Sequence, residues 1–115
     1  MKYVMLLYAN ESDVPHTPEQ IKAAWPAWEA MGKEMEAAKV VWSGYGLSAA
    51  ANATTVRVRD GKTLTTDGPF AETHEQLGGV YLLDCKDLDE AISCAAKIPT
   101  AGYGSVEIRP LWGQE

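Results

Sequence analysis

Histidine occurs twice in this sequence, cysteine twice and phenylalanine once, and each shortage narrows what the chain can be. Cys85 and Cys94 make neither a disulfide framework nor a zinc motif. A reduced, cytoplasmic setting with both thiols in the core is therefore expected. His16 and His74 stand far apart among scattered carboxylates, with no recognised ligand spacing, so no metal is expected. A glycine-rich phosphate loop and a dinucleotide fingerprint are both missing, and no cofactor is expected. Positive charge is also in short supply. Ten Lys and Arg face 16 Asp and Glu, the net charge is −6, and no basic stripe offsets it. Neither nucleic acid nor an anionic membrane is then the expected partner. Long apolar runs are absent as well. The stretch Met1–Tyr8 ends at Asn10-Glu11, too soon for a signal-peptide core, and nothing is long enough to span a bilayer.

What remains is an ordinary globular composition. The chain has 115 residues, 46% hydrophobic and 23% charged, which fits one domain over residues 1–115. A domain of this size buries only about two-thirds of its unfolded surface, so association that hides more apolar area would help it.

Residues 2–9 read as a strand whose faces, Val4-Leu6-Tyr8 and Tyr3-Met5-Leu7, are both apolar. Thr17-Pro18-Glu19-Gln20 predicts a helix start with a capping box and Pro at the first position. Ile21, Trp25, Trp28, Met31 and Met35 follow at helical spacing as its buried stripe. Pro26 predicts a kink or restart, and the helix ends near Ala38 or Lys39. Val40–Leu47 is a strand interrupted by Gly44 and Gly46, which mark a bulge or a close approach. Asp60-Gly61 between Thr54–Arg59 and Lys62–Thr66 predicts a hairpin. Gly79–Cys85 is a strand with apolar residues on both faces. Asp87 caps a second helix whose stripe is Leu88, Ala91, Ile92, Ala95 and Ile98. A last strand alternates Val106, Ile108, Pro110 and Trp112 with Glu107, Arg109 and Leu111.

The order predicts an α+β, ferredoxin-like βαβ-βαβ fold with an inserted β-hairpin. The right-handed crossover rule puts both helices on one side of the sheet. The other face needs a cover, and an identical sheet from a second copy supplies one, so a homodimer is expected.

The segment Asp67-Gly68-Pro69-Phe70-Ala71-Glu72-Thr73-His74-Glu75-Gln76-Leu77-Gly78-Gly79 is unusual for a plain connector. One reading is structural: Asp67 caps a turn, Phe70 plugs the core and the carboxylates are solvated. The segment also resembles the signature of the DGPF branch of the YCII-related proteins. Met1-Lys2-Tyr3, Thr54–Lys62, Asp87–Ala91, Ile98-Pro99 and Val106–Pro110 resemble that family's flanking sequence. The resemblance implies a dimeric α+β barrel. It also implies kinship with enzymes that act on small organic substrates through a His–Asp pair, and with partners of extracytoplasmic-function sigma factors. In the enzymatic branch the histidine lies on the first helix. Residues Ile21 to Lys39 contain none, so that pair has no counterpart here, and His74 stands where lysine is typical.

If the chain is an enzyme, Asp67 leads the candidates, with Glu72 and His74 (and Glu75 beside them) as an acid–base set. Phe70, Trp42, Tyr45 and Tyr81 would wall a site for a small, largely apolar or aromatic substrate, with the Gly68 turn at its edge. His16 reads as a solvated loop residue. Three functions stay open: a cofactor-free lyase, isomerase or dehalogenase; a non-catalytic small-ligand-binding dimer; and an interaction module acting with a sigma factor.

Overall fold

The computed structural model describes residues 1–114. Within them the order is β1 (Lys2–Ala9), α1 (Pro18–Ala37), β2 (Val41–Gly46), β3 (Thr54–Arg59), β4 (Lys62–Asp67), β5 (Gln76–Asp84), α2 (Leu88–Lys97) and β6 (Ser105–Pro110). β2-β5-β1-β6 form one antiparallel sheet, while β3 and β4 pair only with each other among the described residues. With β3 and β4 set aside, the chain runs β-α-β-β-α-β with its first and third strands central, the ferredoxin-like arrangement.

Local chemistry explains the elements. Thr17 accepts the Gln20 amide at 3.1 Å and the Gln20 side chain accepts the Thr17 amide, closing the capping box of α1. The helix then runs unbroken through Pro26 and does not restart. Pro26 lacks the amide that would reach the Lys22 carbonyl, and it stands with Lys22 on the exposed part of the helix. Asp87 accepts the Glu90 amide at 2.8 Å and starts α2. The buried face of α2 is Ala91, Cys94 and Ala95, continued by Ile98. Leu88, in the first turn, and Ile92, on the flank of that stripe, stay half exposed, contrary to the stripe expected from sequence. Trp112 lies beyond the end of β6 and is 98% exposed, so it is not a strand position.

The two faces of the sheet differ. Tyr3, Met5 and Leu7 of β1 pair with Leu83, Tyr81 and Gly79 of β5, and this face joins Met31 and Met35 of α1 and Ala91, Cys94, Ala95 and Ile98 near α2 in one core. The alternate positions Val4 and Leu6 pair with Leu82 and Val80 on the opposite face. Among the described residues no helix covers those side chains, and Val41 and Tyr45 beside them are 74% and 73% exposed. The β3–β4 hairpin turns through Asp60 (φ 52°) and Gly61 (φ 72°), and nearly all its residues are exposed. The result is a slab 19 Å thick in its shortest dimension.

Candidate ligand-binding site

The loop after β4 is anchored at its start. Asp67, the last residue of β4, pairs with Thr54. Gly68, at φ 91°, donates its amide to the Ala53 carbonyl at 2.7 Å and accepts the Thr55 hydroxyl at 2.8 Å. A side chain is strained at that φ, which is why glycine stands there. Further on, the Glu75 carboxylate accepts the Ser105 hydroxyl at 2.9 Å, tying the loop to β6. Between these anchors Phe70 is 79% exposed, and Glu72 and His74 are exposed beside it. Phe70, Pro69, Ala71 and Thr73 line a hollow of about 590 Å³ with Tyr8, Leu47 and Leu77. Asp67, Gly68, Glu72 and His74 are not part of its lining. Among the described residues no cluster of three or more His, Cys, Asp or Glu is placed to hold a metal ion.

The aromatic candidates separate. Trp42 and Tyr81 meet on the helix-covered face, stacked with centroids 5.6 Å apart and planes at 20°. Tyr45 stands on the opposite face, and Phe70 belongs to the loop. Trp28 of α1 completes the cluster, its ring tilted 54° to Tyr81 at 6.2 Å. Gly44 makes the stack possible, since a Cβ there would come within 2.2 Å of the Tyr81 ring. Glycine inside β2 thus marks a close approach, one of the two meanings its position has in the sequence.

These rings form the floor of a chamber of about 480 Å³ beneath the N-terminal half of α1. Ile21, Ala24, Trp25 and Gly32 line it from the helix, Val14 and Pro15 from the preceding loop, and Tyr103 from beyond α2. Among the described residues Glu29 is the one charged side chain in this lining. Burial pushes the Tyr81 hydroxyl above its ordinary range. The surface is apolar and aromatic, chemistry that can take a flat hydrophobic group by stacking and desolvation. Gly32 adds to this picture. Glycine in a helix interior costs about 1 kcal/mol against alanine. A Cβ at Gly32 would meet Trp42 at an unstrained 3.5 Å, so packing tolerates a side chain, but it would stand in the chamber.

Ile21 and Trp25 thus carry the spacing of core residues and instead roof a hollow. Half-exposed Ile21 and Trp25 mark the difference, which no periodicity reveals.

The family model of the YCII-related domain matches residues 1–113. An uncharacterized protein of Rhizobium meliloti is 52% identical over 61 residues, covering 51% of this chain and 49% of that protein. The chain thus spans about half the length of the curated relative it matches.

Proposed function

The chain belongs to the YCII-related domain family, and on that footing we propose that it is a homodimer that binds a small aromatic or otherwise flat apolar molecule in the chamber under α1. The observation that carries the ligand reading is the stacked Trp42–Tyr81 floor below a half-exposed apolar roof. The sequence candidates for acid–base work, Asp67, Glu72 and His74, stand at the end of β4 and on the β4–β5 loop, outside the chamber lining, which favours binding without catalysis by that trio.

Two features support the dimer. Val4, Leu6, Val80 and Leu82 make an apolar strip on the sheet face away from the helices, flanked by exposed Val41 and Tyr45. The radius of gyration is also 16.0 Å, against about 13 Å for a compact chain of this length. Packing that strip on its copy would bury apolar area and thicken the slab into a two-sheet sandwich or barrel.

Titration with toluene, followed by tryptophan fluorescence and thermal shift, tests the chamber. Toluene should bind the wild type, and Gly32→Leu, which fills the space from a tolerant helix position, should abolish binding while the protein stays folded. Equal binding by both, or none by the wild type, removes the ligand reading. Sedimentation tests the dimer separately: twice 12.5 kDa is expected at micromolar concentration, and Leu82→Lys should give monomers.

A further inference from the structure

A second hollow adjoins the chamber and differs from it in chemistry. It measures about 570 Å³ and lies where the loop after β1 faces the loop after β2. Glu11, Ser12 and His16 come from the first loop, Ser48 from the second, and Gln76 from the start of β5. Its two walls are tied together, because the Glu11 carboxylate accepts the Ala50 amide at 2.8 Å. Its first wall is also tied to α1, because the Gln20 side chain accepts the His16 amide at 3.0 Å. Val14 and Pro15 line both hollows. Between them lies a recess of about 120 Å³ that shares Trp28 and Tyr81 with the chamber, Ala9 and Gly78 with the cleft, and Val14 with both. The three spaces form a series, aromatic at one end and polar at the other.

His16 is the residue that gives the polar end its character. Its ring Nδ1 lies 2.9 Å from the Val14 carbonyl oxygen. A carbonyl only accepts, so Nδ1 carries the hydrogen, and in the neutral ring Nε2 is left with the lone pair. The same hydrogen bond fixes the ring against the loop that forms the wall between chamber and cleft.

We propose that this cleft is the polar half of the ligand site, and that His16 selects arenes whose side arm ends in a hydrogen-bond donor, such as an arylalkanol, over the plain hydrocarbons. This rests on the chamber as the seat of the aromatic part. The arene stacks in the chamber, the arm passes the recess at Val14, and its hydroxyl donates to Nε2 of His16. A neutral hydrogen bond contributes about 0.5–1.5 kcal/mol net, so the hydroxyl should improve affinity by roughly fivefold.

The test compares butylbenzene with the phenylbutanol that bears a terminal hydroxyl, on wild type, His16→Ala and His16→Gln, by calorimetry. The alcohol should bind the wild type about fivefold more tightly than the hydrocarbon. His16→Ala should erase that preference, so that alcohol and hydrocarbon bind alike, and His16→Gln, which keeps an acceptor, should restore part of it. The Nε2 resonance of His16 in nitrogen NMR should shift with the alcohol and stay put with the hydrocarbon, a response that mere loop packing would not give. Failure of butylbenzene to bind the wild type overturns the chamber. Binding of butylbenzene with no preference for the alcohol, or a preference that survives His16→Ala, overturns the role of His16 and leaves the chamber standing.

Discussion

The two halves of α1 carry one continuous apolar stripe and use it in opposite ways. In the C-terminal half Met31 and Met35 are 2% and 1% exposed, locked into the core against β1 and β5. In the N-terminal half Ile21 and Trp25 remain 50% and 58% exposed, standing over the chamber. Trp28 sits at the changeover, its ring against Tyr81. Helical periodicity announces that an apolar neighbour exists. It is silent on whether that neighbour is packed side chain or empty space, and in α1 it is each in turn.

The largest expected effect breaks the packed half. Met35→Ala should cost about 2–5 kcal/mol in denaturant unfolding, the range for a long side chain removed from a full core. A loss under about 1 kcal/mol would show that the C-terminal half is as loosely packed as the other. Next comes the floor that both halves share. Gly44→Ala must push the Tyr81 ring aside, because the new methyl would meet it at 2.2 Å. We expect a loss of about 1–3 kcal/mol together with weaker toluene binding, since the stack on Trp42 is displaced.

A third effect concerns the core alone. Burial, with the neighbouring Cys94 sulfur second, pushes the Cys85 thiol up to about 12, and burial also raises Cys94. The folded state therefore holds these protons where the unfolded chain, with an ordinary thiol at 9.0, releases them. The Cys85 contribution is complete below pH 9 and is lost as pH rises through about 12, so the melting temperature should fall across that window. Because the thiolate is the reactive form, iodoacetamide should modify both cysteines only as fast as the protein unfolds. The smallest effect sharpens the contrast most. Trp25→Ala should change stability by no more than about 0.5 kcal/mol and still weaken toluene binding, separating a roof residue from a core residue.

The frame of this molecule is legible in the sequence because its signals are local. Thr17 with Gln20, Asp87 with Glu90, and Asp60-Gly61 each act over four residues or fewer, and each forms as its chemistry demands. Alternation in β1 and β5 likewise reports that both faces are apolar. The site is less legible, because it depends on which separate elements meet. Trp42 and Tyr81 are expected as aromatic walls and do come together, while Phe70 and Tyr45 lie elsewhere. His16 reads in sequence as a solvated loop residue, since only the fold brings its loop opposite Ser48 and Gln76. Leu88 and Ile92 fit a helical stripe in sequence, yet the packed face centres on Cys94.

The β3–β4 arm has a consequence for how the chain can vary. It is clamped at its base by the bonds that join Gly68 to Ala53 and Thr55, and beyond that clamp, among the described residues, it shares no ladder with the main sheet. Its amides should exchange with deuterium long before those of β1 and β5, since opening the arm uncovers none of the core. An arm that opens alone is also one that can lengthen, shorten or carry a label at Asp60-Gly61 without being felt at Trp42 or Met35. The tip of the hairpin is thus the place where this chain can acquire a new segment while the rest of its architecture stays as it is.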